Sequence, residues 1–207
     1  MNTTTKTRVV LITGALTGIG RATALAFAQE GARIVVSDRR EKAGQVLASE
    51  LRELVVEAEF LPADVRNEDE VRSLVDRTVE RFGRLDVAVN NAGTEGHPGP
   101  VKDQTAESYH ETFDTNVLGV LLSMKHELRV MLDQGHGRIV NLSSAYGRIG
   151  AAGASVYVAS RQAVEGWTKS AALEVAGSGV RVNMGTPQDG VLPKLHGITS
   201  TNKVISC

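Results

Sequence analysis

The sequence predicts an α/β fold built on one doubly wound parallel sheet. Three observations carry that expectation. Short apolar runs alternate with helix-periodic segments from Arg8 to Asn183. Glycines close helical segments at Gly31, Gly83 and Gly135. The first strand-to-helix turn is the glycine-rich stretch Thr13-Gly14-Ala15-Leu16-Thr17-Gly18-Ile19-Gly20. Five strand–helix repeats and a sixth strand, joined by right-handed crossovers, imply the strand order 3-2-1-4-5-6.

The first strand reads from Arg8 to Ile12, and the first helix runs through Arg21 to Glu30. A helix N-terminus reached through glycines is an anion site. Its N–H groups are unpaired, and missing Cβ atoms let a pyrophosphate approach. The spacing is G-x-x-x-G-x-G, neither the G-x-G-x-x-G fingerprint nor a P-loop. A tight turn with no ligand is the plain alternative. The second strand, Ala32 to Ser37, ends at Asp38. An acidic residue about 20 positions past the glycines accepts hydrogen bonds from a ribose and repels a 2′-phosphate. NAD is therefore expected over NADP, with Arg39 and Arg40 as solvated residues opening the next helix.

Glu41 to Leu54 reads as an amphipathic helix with Val46, Leu47, Leu51 and Leu54 on one face. Glu57 to Pro62 is the third strand, followed by Asp64-Val65 at a strand's carboxyl end, where ligands gather. Asp64 either contacts adenine or accepts turn N–H groups. Asn67 reads as an N-cap with Glu70 in capping-box position, opening a helix to Phe82. The fourth strand, Leu85 to Val89, runs into Asn90-Asn91-Ala92-Gly93. There two amides can bridge backbones, and a glycine lets a cofactor come near. The Thr94 to Pro100 loop is expected at the site mouth. One long helix is expected from Glu107 to Leu132. Asn116 and Gly119 inside it cost helix propensity, which implies close packing or a kink. Arg138 to Leu142 is the fifth strand and ends in Ser143-Ser144. Val156 to Ala176 is the next helix, with Tyr157 and Arg161 four residues apart on one face. Val180 to Asn183 is the sixth strand.

The bulk properties exclude several function classes. At 207 residues a single domain is expected. A net charge of −1 with scattered basic residues gives no footprint for nucleic acid or anionic membrane. No apolar run approaches the ~20 residues of a membrane helix, and Met1 to Lys6 lacks a signal-peptide core. The one cysteine, Cys207, forms no disulfide framework, which fits the cytoplasm. Five histidines show no metal-ligand spacing.

Taken together, the motifs resemble those of short-chain dehydrogenases/reductases. The matching residues are Thr13 to Gly20, Asp38, Asp64-Val65, Asn90 to Gly93, Asn116, Ser144 and Tyr157, thirteen residues after that serine. The resemblance spans about residues 8 to 183 and implies a Rossmann-type three-layer domain over residues 1–183. It implies hydride transfer between NAD(H) and a secondary alcohol or carbonyl. A phenol of pKa ~10 is a poor base at neutral pH, and a fixed positive charge nearby makes it a better acid. Tyr157 is then the acid/base. Ser144 steadies the substrate oxygen, Asn116 supports a proton path, and Arg161 supplies charge and a ribose contact. Gly14, Thr17, Gly18, Ile19, Gly20, Asp38, Asp64, Val65, Asn90, Ala92, Gly93, Tyr157, Arg161 and Pro187 are the expected cofactor contacts.

The chain departs from the family pattern in two places. Tyr-x-x-x-Arg stands where the family has Tyr-x-x-x-Lys, so turnover is expected to fall while binding is kept. Residues 184–207 form a divergent tail. Gly185 and Gln188 replace a valine and a glycine, Lys203 to Ser206 is at best a short strand, and the seventh strand is expected to be absent or altered. A dinucleotide-binding protein with weak or no turnover is the alternative reading. The resemblance also implies a homodimer through the helices at 107–132 and 156–176, using Leu118, Leu121, Leu122, Met124, Leu128, Val164, Trp167 and Leu173.

Overall fold

A computed structural model of the chain describes residues 7–54 and 57–187. The elements alternate as the sequence implies. The first half comprises β1 (Val9–Thr13), α1 (Gly18–Gln29), β2 (Arg33–Ser37), α2 (Glu41–Glu53), β3 (Ala58–Phe60) and α3 (Glu68–Phe82). The second comprises β4 (Val87–Asn90), α4 (Ala106–Phe113), α5 (Gly119–Gln134), β5 (Gly137–Leu142), α6 (Ser155–Glu174) and β6 (Val180–Gly185). The sheet is parallel throughout, in the order β3-β2-β1-β4-β5-β6. The order reverses between β1 and β4, which pair directly, and this opens a crevice at the strands' carboxyl ends.

Both sheet faces are covered, so the strands read as continuous apolar runs. Successive side chains of β1 go to opposite layers. Val9 and Leu11 join Leu74, Val75, Met124, Met131 and Val164 in one core, beneath α3, α5 and α6. Val10 and Ile12 join Ala24, Ala28, Leu47, Leu51 and Phe60 in the other, beneath α1 and α2.

Two local expectations are corrected and one is met. The buried stripe of α2 is Gly44, Leu47, Ala48 and Leu51, whereas Val46 and Leu54 are 59% and 43% exposed. The helical period puts 44, 47, 48 and 51 on one side, and Gly44 leaves the space into which the Phe60 ring packs. The long helix runs from Ala106 to Gln134 with a π turn at Asp114–Leu118 set into it. The close packing expected at its glycine is found: Gly119 lies against Val65, whose Cγ2 would stand 2.7 Å from an added Cβ. Asn67 caps α3 by accepting from the Asp69 and Glu70 amides at 3.0 and 3.4 Å. The Glu70 carboxylate, however, accepts from the Asp64 amide and from Asn67 Nδ2 rather than from the Asn67 backbone. At the other end of α3, Gly83 adopts φ 75°, as a C-terminal cap requires.

Within the described sheet β6 is the outermost strand, paired with β5 from Gly137↔Val180 to Leu142↔Gly185. Met1 to Lys6, Gln188, the strand expected at Lys203 to Ser206, any seventh strand and Cys207 lie outside the described residues.

Candidate functional site

A cleft of ≈ 560 Å³ lies along the carboxyl ends of β1, β2, β4 and β5. Its floor is the turn between β1 and α1. Gly14 and Gly18 hold φ of 62° and 54°, a region L side chains adopt only with strain. An added Cβ on Gly14 would stand 2.7 Å from Ala92 Cα, whereas one on Gly18 would meet nothing within 4 Å. Gly14 thus seats the turn on β4's extension, and Gly18 keeps the helix entrance open. Asn91 fixes that seat, donating from Nδ2 to the carbonyls of Thr13 and Gly14 at 3.1 and 2.8 Å. Thr13 Oγ1 accepts the Asn91 and Ala92 amides in return. Thr17 stands at the N-cap of α1 without a side-chain cap bond.

One end of the cleft is ionic. Asp38 Oδ1 accepts from the Arg40 amide and Nε at 3.0 and 3.1 Å. Asp64 accepts from Arg66 Nη2 at 2.6 Å and lies 3.8 Å from Arg39 Nη1. The Arg66 hydrogen bonds hold the Asp64 carboxyl below its ordinary range, against some desolvation. Ser37 Oγ, at the same end, is buried and has no partner.

The other end carries the tyrosine. Tyr157 and Arg161 both line the cleft from the first turns of α6. They point the same way: Arg161 Cζ lies 5.0 Å from the Tyr157 ring centroid. The guanidinium therefore faces the ring rather than extending past it. Its Nη1 donates to Leu142 O at 3.0 Å, and Nη2 would lie 2.6 Å from an added Cβ on Gly93. Gly93 is what lets the larger cation fit here. Arg161 Nε is buried and unpartnered.

Most of the residues singled out from sequence come together on this cleft. Gly14, Thr17, Gly18, Ile19, Asp38, Asp64, Val65, Ala92, Gly93, Tyr157, Arg161 and Pro187 all line it. Four others do not line it. Gly20 packs under the turn, where a Cβ would stand 2.5 Å from both Asn91 Nδ2 and Gly14 O. Asn90 faces the core, donating to Glu127 and Asn141, and its neighbour Asn91 takes the cleft position. The difference is the alternation of an extended chain. Asn116 is fully buried in the π turn. It accepts the Thr94 amide at 2.8 Å and donates to Thr94 O and Ser160 Oγ. Its amide is a strut between the π turn, the segment after β4 and α6. Ser144 Oγ accepts the Tyr146 amide at 3.3 Å, capping a short 3-10 turn at Ala145–Gly147. The hydroxyl proton is free of that bond.

Sequence reading passed over Ser37, Ser143 and Thr115, which line the cleft, and Ser160, which holds Asn116. Ser37 was within reach, since it precedes Asp38 at the end of a strand. Ser160 was not, because its partner lies 44 positions away. Among the described residues no group of three His, Cys, Asp or Glu side chains is placed to hold a metal.

The profile of short-chain dehydrogenases matches residues 8–190. Xanthoxin dehydrogenase of Arabidopsis thaliana is 42% identical over 183 residues, covering 87% of this chain and 64% of that one. The chain thus spans less than two thirds of that relative's length. The structure of NAD+-bound xylitol dehydrogenase superposes with a TM-score of 0.85 at 37% identity, over 87% of this chain and 70% of that one. An actinorhodin polyketide ketoreductase variant with NADPH gives 0.82 at 40% identity, over 86% and 69%. The glycine turn, the carboxylate at the end of β2 and the tyrosine on α6 are thus found within a profile match that covers nearly all of the described chain, and the chain belongs to the short-chain dehydrogenase family.

Proposed function

We propose that the cleft holds a nicotinamide dinucleotide and that the protein transfers a hydride between NAD(H) and a secondary alcohol or carbonyl compound. The carrying observation is the pair Tyr157 and Arg161, side by side at one end of a cleft whose other end is Asp38. The residues fit such a ligand. Ser37 Oγ and Arg161 Nε are buried polar groups without partners, one at each end, and each is suited to a ribose hydroxyl. The open face of Gly18 and the uncapped start of α1 suit the pyrophosphate between them. Asp38 supports NAD over NADP, because its carboxylate repels a 2′-phosphate and already holds Arg40.

When bound, the nicotinamide supplies the acceptor or donor of the hydride. Tyr157 takes the alcohol proton during oxidation and returns it during reduction. The Ser144 hydroxyl donates to the substrate oxygen as charge develops there. Arg161 holds its positive charge against the tyrosine ring, and Asn116 stiffens the segment carrying Gly93.

A homodimer is part of the proposal. Leu118, Trp167 and Leu173 are 38%, 40% and 79% exposed on the π turn and α6, whereas Leu122, Met124 and Val164 pack inside their own subunit. Among the described residues no helix is long and apolar enough to cross a membrane. We place the protein in the cytoplasm on its cysteine usage.

The test combines NADH fluorescence with NADH formation from NAD and a panel of secondary alcohols. Binding with turnover, lost at least a hundredfold in Tyr157→Phe with binding kept, is the expected result. Binding with no turnover on any alcohol or ketone would favour the non-catalytic reading.

A further inference from the structure

Beneath the cleft lies a buried chain of polar side chains that the proposed reaction does not use. Asn90 and Asn141 face each other in register on β4 and β5. Asn90 Nδ2 gives one hydrogen to Asn141 Oδ1 at 2.9 Å and the other to Glu127 Oε2 at 3.0 Å. Asn141 Nδ2 donates to Thr168 Oγ1 and Met124 Sδ, both at 3.0 Å, and Thr168 Oγ1 donates to Val164 O at 2.7 Å. The chain ties both strands to α5 and α6. Every amide hydrogen is placed, so the orientation of each amide is fixed.

The chain lacks one donor. Asn90 Oδ1 is buried and accepts nothing. Glu127 is 1% exposed and has no cation against it. Protonated, its carboxyl brings a donor to a set that is one short. Burial pushes this carboxyl up to about 7, partly opposed by the Asn90 hydrogen bond. The charges on neighbouring elements are engaged elsewhere. Glu68 on α3 meets Lys125 at 2.5 Å and His126 at 3.4 Å, and Asp76 on α3 pairs with Arg129. Glu165 on α6 meets Lys169 and Arg148 at 3.4 and 3.6 Å. Arg138 on β5 and Arg181 on β6 are exposed, and β4 carries no charge.

Immediately beyond the two asparagines the chain enters the cleft, through Asn91 to Gly93 on one strand and Leu142-Ser143 on the other. Leu142 O is also the acceptor for Arg161. We propose that Glu127, as a neutral carboxylic acid, is a positioning residue. Through Asn90 and Asn141 it locks the ends of β4 and β5, and with them the backbone of Asn91–Gly93 and Leu142-Ser143 that borders the dinucleotide. The role assigned to that backbone rests on the dinucleotide reading; the lock does not.

Amide hydrogen exchange on the full chain, corrected for intrinsic rates, tests the lock at about pH 6 and about pH 8. In the unsubstituted protein, protection of Asn91–Gly93 and Leu142–Ser144 falls about tenfold at the higher pH, as the carboxyl ionises with no cation beside it. Glu127→Gln keeps a neutral donor and acceptor and holds its protection at both. Glu127→Leu is poorly protected at both, while Val10–Ile12 on β1 changes only by the measured change in global stability. If Glu127→Leu does not fold, the Gln comparison still decides. The lock is overturned if Glu127→Gln loses protection with pH as the unsubstituted protein does. It is also overturned if the strand ends keep their protection while β1 loses it. The same holds if His126→Asn abolishes the pH response, which would assign the titration to that histidine. NADH affinity measured in parallel weakens severalfold with rising pH in the unsubstituted protein and not in Glu127→Gln. No NADH binding with the exchange pattern intact would overturn the dinucleotide reading and leave the lock standing.

Discussion

Arg161 keeps the charge of a lysine but not its chemistry. Its guanidinium lies against the face of Tyr157 and is tied to Leu142 O. An ammonium is a compact charge with three donors and can release a proton, whereas a guanidinium cannot at ordinary pH. Arg161→Lys is therefore expected to raise kcat by about tenfold and shift its pH profile, with NADH affinity within about threefold. Steady-state kinetics across pH checks this, and an unchanged kcat and profile would count against the role given to Arg161.

At the scale of elements, the β1–α1 turn separates two costs that sequence alone merges. Gly14 and Gly18 both hold positive φ, but only Gly14 has backbone at 2.7 Å from an added Cβ. Gly18→Ala then carries only left-handed strain, about 1 kcal/mol. Gly14→Ala adds the collision with Ala92, which cannot swing away like a side-chain end, for about 2–4 kcal/mol in total. Thermal unfolding of both variants checks the order. NADH affinity should fall further in Gly14→Ala, since Asn91 and the turn move together. The same scale shows how much could be read beforehand. The strand–turn–helix was legible because its glycines, apolar run and cap are all local. The π turn was legible only as a cost, at Asn116 and Gly119, because what offsets that cost is Thr94, Ser160 and Val65 from other parts of the chain.

Across the whole molecule, two buried carboxyls bend stability in opposite directions. Burial raises Glu127 to about 7 from an ordinary 4.5. The folded state then binds its proton more tightly than the unfolded chain, so this contribution is full below the unfolded value and is lost as pH rises through about 7. The loss is on the order of 3 kcal/mol. Asp86 behaves oppositely. Desolvation pushes its carboxyl up, but Arg84, the Val9 amide and His136 more than offset this and hold it below its ordinary range. Val9 N donates to it at 2.8 Å and Arg84 Nε at 2.9 Å. Its contribution is present above the unfolded value and is lost as pH falls through the lowered one. Melting curves across pH should show Glu127→Gln flattening the fall toward neutral pH while leaving the acid limb unchanged. Asp86→Asn should do the reverse and lower the melting temperature at neutral pH.

The sequence by itself determined the order of elements, the parallel sheet, the glycine turn and the residues Asp38, Tyr157 and Arg161. These rest on periodicity and on spacings of a few residues, which the chain carries in one dimension. Only the tertiary structure decided that Asn91 rather than Asn90 meets the cleft, that the Arg161 cation faces the tyrosine ring, and that Glu127 is sealed beneath both strand ends. Each of those depends on which groups are brought opposite one another across the sheet. Partners 37 to 78 positions apart, such as Glu127 with Asn90 or Asn91 with Thr13, leave no local pattern to read.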